Sequence, residues 1–491
     1  MYVAPEMLLR SLLAELSAHF GADNSEASIG QSATAAVRLL HNREAGAERQ
    51  VQERLTRLRG LLQDLAAQVP LPARQALTDM LGQSGPGPGA QARLAALVQQ
   101  LEDALGAGRL LDTLAPQPRL IAIRAIAQWE ADDRRSLIAG PAGEAGALDR
   151  EITAARFEAY LQDRFAEPGL RVTDFRPLAG GFGKQTILLT VAGTALDGPL
   201  VIRRDPIVPT VDNDCHSVAN EYPVIRAAFE RGFPAPEALW VDTEHRLLPG
   251  ADFLVMRMAP GRTGGNVFHS REALSDGLME VLARAAATLH GLPPLIELGD
   301  LTNSIRTDLW NRTLPEATRS YVEDWREYFA RNTHNPSPAL MALYAWILDN
   351  VPDAPGRPVL VHGDVGFHNM LIDDGRMSAL VDWEFAHIGD PAEDMGSIRN
   401  ALGDAAWPDI MRHYVAAGGA RIAPERLHFF RVWQHVRNAS ASNLAMGKFQ
   451  SGEIPDLKLV YTGHYHFPLF IKAAWDLIEA GPDGAALHID Y

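Results

Sequence analysis

The sequence predicts an α+β protein with a helical region at residues 1–138, a sheet-containing region at 151–260 and a helical region at 261–491. Three observations carry that prediction. First, leucines recur at helical spacing before residue 138: Leu8, Leu12 and Leu16, then Leu55, Leu58, Leu62 and Leu65 with Val69, then Leu94, Leu97, Leu101 and Leu105 with Val98. The run Ser84-Gly-Pro-Gly-Pro-Gly89 must interrupt any helix there, because Pro lacks an N–H and Gly loses much chain entropy on folding. Second, Ala139-Gly-Pro-Ala-Gly-Glu-Ala-Gly146 reads as part of a linker over 139–150, and the pattern changes beyond it. A helix at 151–165, with Phe157, Leu161 and Phe165 on one face, leads into short apolar runs. These runs, Thr186–Val191, Leu200–Arg203, Ala238–Asp242 and Phe253–Met258, predict strands. Third, helical patterning returns from about residue 270, broken only by the strand-like runs Val359–Val361 and Ala379–Val381.

A chain of 491 residues suggests two or three folding units, and 47% hydrophobic with 22% charged residues supports a sizeable core. A net charge of −16 argues against a general nucleic-acid binder, which needs surplus Lys and Arg against phosphates. The single cysteine, Cys215, allows no internal disulfide and reads as a small apolar filler. Glu6 and Arg10 interrupt the first apolar run, which therefore lacks a signal-peptide core. No run approaches the roughly 20 apolar residues that a membrane helix needs. The expected compartment is cytoplasmic. The first 138 residues hold no convergent polar cluster, so packing or dimerisation is their expected role, with a homodimer through these helices in view.

The chemistry concentrates in Pro358-Val-Leu-Val-His-Gly-Asp-Val-Gly-Phe-His-Asn-Met-Leu-Ile372, followed by Ser378-Ala-Leu-Val-Asp-Trp-Glu384. A short buried strand delivers His362 and Asp364 into a loop, and Asn369 follows five residues later. A second apolar strand then presents Asp382 at its end. Phosphoryl transfer asks for such a set: one carboxylate to orient a hydroxyl and take its proton, and an amide oxygen with a second carboxylate to hold Mg²⁺ against nucleotide phosphates. Positioning and charge neutralisation supply most of the rate.

This segment resembles the protein-kinase-like superfamily, through His-x-Asp-x-x-x-x-Asn followed by an Asp at a strand end. It is closer to the aminoglycoside phosphotransferase and choline kinase branch, with His-Gly-Asp, Asp-Trp-Glu and the later Gly389-Asp-Pro-Ala-Glu-Asp394. The resemblance covers roughly 150–470. It implies a two-lobed kinase-like fold preceded by an all-α domain, with a nucleotide-binding N-lobe at 151–260 and a helical C-lobe at 261–491. It further implies Asp364 as catalytic base, Asn369 and Asp382 as metal ligands, His362 as a loop brace and Asp394 as a structural residue. Glu384 is open between a second metal contact and a plain hydrogen-bonding role.

Upstream, Ala179-Gly-Gly-Phe-Gly-Lys-Gln-Thr186 precedes a strand-like run, and Gly180, Gly181 and Gly183 would let a hairpin backbone approach phosphates. It is not a Walker A loop, since no Ser or Thr directly follows Lys184. Leu200-Val-Ile-Arg-Arg204 takes the place of the kinase strand that ends in Lys. Arg203 stands where Lys is usual, leaving Arg203 and Arg204 both open as the working cation, with Glu221 as ion-pair partner. Phe253–Met258 resembles the hinge between lobes, with Met256 and Met258 near the nucleobase and nothing to choose ATP over GTP. His290 is expected to pack, and Trp310, Trp325 and Trp433 to be core. His464-Tyr-His466 lacks the partners of a zinc site.

The expected activity is transfer of the ATP γ-phosphoryl group, with Mg²⁺, to a hydroxyl of a small molecule. The strand Val-Ile-Arg-Arg and Val-Asp-Trp-Glu look most like members associated with acyl-CoA dehydrogenases, which points to hydroxyacyl-CoA acceptors. An antibiotic phosphotransferase and a nucleotide-binding pseudokinase scaffold are the alternatives.

Overall fold

The computed structural model describes residues 51–52, 54–67, 71–83, 90–106, 110–135, 152–178, 184–206, 208–211, 216–245, 251–265, 275–294, 305–454 and 456–482. Leu8, Leu12, Leu16, Val69, Cys215, the break at 84–89 and the linker at 139–150 lie outside these residues. The chain divides into two compact units. One takes its described residues from the N-terminal helices together with Val322–Asn350 and His435–Glu479. The other comprises Asp149–Tyr321, Val351–Gln434 and the C-terminal end.

In the first unit the N-terminal helices are 54–67, Leu71–Gln83, Ala90–Gly106 and Pro116–Arg135. The leucine periodicity becomes burial: Leu55, Leu58, Leu62 and Leu65, and Leu94, Leu97, Leu101 and Leu105, are all core, while Val98 is half-buried. These helices share their unit with helices far along the chain. The buried carboxylate of Glu130 accepts hydrogen bonds from Ser337 Oγ (3.0 Å) and the Ala339 N–H (2.9 Å), at the N-terminus of helix Pro338–Asp349. A carboxylate is favourable there because the first helical N–H groups have no partner within the helix. Arg119 pairs with Asp349 at the other end of that helix, and Arg124 with Glu479 (2.6 Å).

The second unit starts with helix Ala154–Arg164, capped by Thr153, whose hydroxyl accepts from the Arg156 N–H. Phe157 and Leu161 on its inner face are fully buried against a five-stranded antiparallel sheet. The strands are β1 (Arg171–Pro177), β2 (Gln185–Ala192), β3 (Gly198–Arg204), β4 (Ala238–Asp242) and β5 (Phe253–Arg257), in the order β1-β2-β3-β5-β4. Helix Val218–Glu230, capped by Ser217, follows β3. β6 (Arg262–Thr263) then crosses to the helical part, where it pairs with β8 (Met370–Asp373), itself paired with β9 (Arg376–Leu380). β7 (Val359–Val361) pairs with β10 (His387–Gly389). Gly261, before β6, has φ +102°, and a Cβ there would stand 2.4 Å from the Ile372 carbonyl oxygen, so only glycine fits.

The mixed helix-and-sheet, kinase-like class expected from the sequence is the class observed. Strand β9 lies earlier than the expected Ala379–Val381, running from Arg376 to Leu380, with the Val381 N–H donating to the Asn369 carbonyl (2.8 Å) just beyond its end. β1, β6, β8 and β10 were not anticipated as strands. Trp310, Trp325 and Trp433 are buried, as are most aromatic side chains of the helices.

Candidate active site

His362 directly follows β7, and the loop beyond it is fixed from below by Asp394. This residue lies in the first turn of helix Ala392–Leu402 and is fully buried. Its carboxylate accepts from the backbone N–H groups of His362 (3.0 Å) and Gly363 (2.7 Å), and from His290 Nε2 (3.0 Å). Gly363 has φ +80°, which a residue with a Cβ resists. His290 thus does more than pack: its other nitrogen meets the Tyr414 hydroxyl at 2.8 Å. The ring of His362 spans the loop, with Nδ1 accepting from the Asp364 N–H (3.3 Å) and Nε2 donating to the Val381 carbonyl (3.2 Å). Burial lowers its pKa, against the pull of Asp394, Asp364 and Asp382, so the neutral ring that this bonding needs is the favoured form.

Asp364 sits in the loop with about a third of its side chain exposed (31%). Its Oδ2 accepts from His368 Nε2 (3.1 Å) and from Asn369 Nδ2 (2.9 Å). The same Asn369 nitrogen also reaches the Asp364 carbonyl (3.0 Å), which leaves Oδ1 as the amide's oxygen donor. Burial disfavours a charged His368, but the hydrogen bond and charge of Asp364, with Asp382 beyond, raise its pKa above the ordinary value. His368 was not singled out from the sequence. It lies four residues from Asp364 and one from Asn369, within a motif whose spacing specifies neither its identity nor its direction.

Asp382 follows β9 with φ +68°, left-handed backbone that costs a non-glycine residue of order 1 kcal/mol. The conformation turns Asp382 toward the five-stranded sheet. There Arg203 Nη2 meets Asp382 Oδ1 (2.6 Å) and Glu221 Oε1 (3.3 Å), and Glu221 Oε1 also accepts from the Trp383 N–H (3.0 Å). Partial desolvation works against the Asp382 charge, but Arg203 and Lys184 outweigh it and hold the carboxyl below its usual range. Arg203 in turn stays firmly protonated: desolvation opposes its charge, and Glu221, Asp382 and Glu384 more than compensate.

Of the two arginines left open by the sequence, Arg203 meets the carboxylates. Arg204 points to the opposite face of β3, fully buried, and donates to Gln185 Oε1 (3.0 Å). Lys184 completes the cluster. Its ammonium lies 3.0 Å from Glu384 Oε2 and 3.8 Å from Glu221 Oε2, and its side chain is 4% exposed. From the sequence, Lys184 bears only on the absence of a Walker A loop. The available signal was its place directly after Gly-Phe-Gly at the start of a strand.

Gly180, Gly181 and Gly183 lie outside the described residues. Met256 is buried and pairs with Val201 in the β3–β5 ladder, so it shares a sheet face with Arg203, whose partner is Leu254. Met258 is 40% exposed, and its N–H is taken by the Pro199 carbonyl (3.1 Å).

The donor set suits a hard divalent cation. Asn369 Oδ1 and the Asp382 carboxylate offer oxygen atoms, and the Val381–Asn369 backbone bond joins the two segments that carry them. Among the described residues no group of three or more His, Cys, Asp or Glu could hold a metal. A Mg²⁺ ion takes few protein ligands and completes its shell with water and phosphate oxygens, so the two facts agree.

A kinase-like fold carrying His-Gly-Asp, Asn and Asp on one strand-loop-strand frame defines an ATP-dependent phosphotransferase with an alcohol acceptor. Residues 174–430, over half of the chain, match the model of the phosphotransferase enzyme family, and the chain belongs to that family. Its relatives include acyl-CoA dehydrogenase family member 11 of Gallus gallus, 26% identical over 302 residues, covering 56% of this chain and 37% of that protein. Viomycin phosphotransferase of Streptomyces vinaceus is 31% identical over 210 residues, covering 39% of this chain and 63% of that protein. Among solved structures, the macrolide 2′-phosphotransferase MphH from Brachybacterium faecium, as apoenzyme, aligns with a TM-score of 0.41 at 18% identity. That alignment covers 65% of this chain and 97% of the other. The chain spans about a third of the length of the acyl-CoA dehydrogenase family members it matches (37% in Gallus gallus, 30% in Rattus norvegicus). Among the described residues, no helix is long and apolar enough to cross a membrane.

Proposed function

We propose that this phosphotransferase acts on a hydroxyacyl-CoA, with Asp364 as catalytic base and Asn369 and Asp382 as Mg²⁺ ligands. The observation that carries the assignment of roles is the Asp364 carboxylate fixed on Oδ2 by His368 and Asn369, with Asp382 held against Arg203 by a left-handed backbone. The acceptor's hydroxyl oxygen bonds to the γ-phosphorus of ATP while the bond from that phosphorus to the β–γ bridging oxygen breaks. The hydroxyl proton passes to Asp364, and ADP leaves with the bond's electron pair. Bound Mg²⁺ would supply neutralisation of the phosphate charge. Asn369 has a second task, orienting the base it touches.

The acceptor class rests on the relatives named for acyl-CoA dehydrogenases, since phosphorylating an acyl-CoA at an alcohol requires a hydroxylated acyl chain. The likeness to viomycin phosphotransferase favours an antibiotic acceptor as a second reading. A pseudokinase scaffold has only the Arg203 replacement in its favour, and Arg203 keeps an ion pair with Glu221.

ADP release measured with Mg²⁺-ATP over a panel of 3- and 4-hydroxyacyl-CoAs, viomycin-type peptides, aminoglycosides and macrolides separates these readings. A hydroxyacyl-CoA is expected to give kcat/KM at least about 100-fold above any antibiotic, the discrimination open to a site that binds one substrate's polar groups. Release with the antibiotics alone would overturn the acceptor assignment.

A further inference from the structure

We infer that Lys184 is a second nucleotide-phosphate cation, which exchanges its pairing with Glu384 for the phosphates when nucleotide and metal bind. The inference rests on the ATP-dependent kinase reading above and adds a residue to it.

The cluster contains two cations, Lys184 and Arg203, and three carboxylates, Glu221, Asp382 and Glu384. The two cations are bound differently. Arg203 makes a short bond to Asp382 and a longer one to Glu221, and its planar head is suited to bridging fixed carboxylates. Among the described residues Lys184 makes one hydrogen bond, to Glu384, whose side chain is a quarter exposed (26%), and stays 3.8 Å from Glu221. Glu221 Oε2, the oxygen nearest that ammonium, is buried without a hydrogen-bond partner. A buried carboxylate oxygen left unsatisfied is costly, and a small movement of the ammonium away from Glu384 would satisfy it.

Lys184 also lies between Gly183 and the first residue of β2, so its ammonium is carried at the start of the strand that follows the glycine run in sequence. An ammonium on a flexible stem can change partners in a way that a guanidinium locked between two carboxylates cannot. Burial opposes its charge, yet Glu384 and Glu221 keep it protonated, so a cation is available whenever phosphates arrive. A cation facing ATP in many kinases is one Lys paired with one Glu. Here Arg203 and Glu221 form the fixed pair, and Lys184 is the exchangeable charge.

The test is isothermal titration of ATP, ADP and AMP, with and without Mg²⁺, into wild type, K184M, K184R, E384Q and K184M/E384Q. The double variant removes both charges of the pair and so avoids leaving Glu384 buried opposite a methionine. With Mg²⁺, K184M and the double variant are expected to bind ATP about 30-fold more weakly, with AMP within about twofold and K184R restoring most of the loss, as a charge-assisted phosphate bond predicts. Without Mg²⁺, E384Q frees Lys184 and binds ATP about fivefold more tightly than wild type, and the second substitution cancels that gain. Equal losses for ATP and AMP, or no loss for ATP, would show a structural lysine and overturn the inference. If wild type binds no adenine nucleotide, the kinase reading itself fails, an outcome the wild-type titration reveals before any variant is compared.

Discussion

Replacing Asp364 with Asn is expected to lower kcat by about 1,000-fold, the middle of the range for removing a general base, while the Kd for Mg²⁺-ATP changes by less than about threefold. Asn keeps an oxygen that can accept from His368 Nε2 and Asn369 Nδ2, so the loop geometry survives and only proton acceptance is lost. The melting temperature is expected to stay within about 3 °C of wild type, because the side chain is partly exposed and no cavity forms. Steady-state ADP release and nucleotide titration on the same preparation check both halves. A variant with more than about a tenth of wild-type kcat would remove Asp364 from the role of base.

Asp394→Asn is expected to act in the opposite way, through the fold. Three donors converge on this buried carboxylate: the His362 and Gly363 N–H groups and His290 Nε2. An amide brings its own N–H against at least one of them and removes the charge that holds all three. The cost expected for breaking a buried charged network is about 3–5 kcal/mol, a large part of the roughly 5–15 kcal/mol that stabilises a domain. Desolvation raises the Asp394 pKa, but the hydrogen bond and charge of His290, with His362, more than offset it, so the folded value lies below the ordinary 3.8. A depressed folded pKa means that its stabilisation is present above pH 3.8 and lost as the pH falls through the lower folded value. Urea unfolding at neutral pH measures the effect, and a loss under about 1 kcal/mol would show that the loop does not depend on this brace.

The parts of this site that were legible in the sequence are local. His362, Asp364, Asn369 and Asp382 fall within 21 consecutive residues, where one strand, one loop and a second strand impose both spacing and residue type. The leucine spacing in 54–67 and Ala90–Gly106 was legible for the same reason, since burial on a helix repeats every few residues. What was missed depends on long-range pairing. Lys184 and Glu384 are 200 residues apart, and nothing near either residue announces the other. Glu130 and Ser337 are 207 apart, so the association of the N-terminal helices with Pro338–Asp349 was equally silent.

β1 escaped for a different reason. It is an edge strand whose side chains are mostly exposed, with an irregularity between Val172 and Asp174, and so it shows no clean alternation. The β8–β9 hairpin carried a readable signal that was passed over. Asp374-Gly375 is a two-residue turn in which both residues have positive φ, at +46° and +72°. At the hinge, the resemblance pointed to Met258, whose N–H is already bonded to the Pro199 carbonyl, a pairing no local sequence pattern encodes.

The most direct measurement of the central claim is ³¹P NMR of the protein with Mg²⁺-ATP and a pool of hydroxyacyl-CoAs and other hydroxylated metabolites, run beside Asp364→Asn. The account predicts a new phosphomonoester resonance growing in step with ADP and absent from the variant; ATP bound but unchanged across the pool, or a phosphomonoester formed equally by the variant, would contradict it.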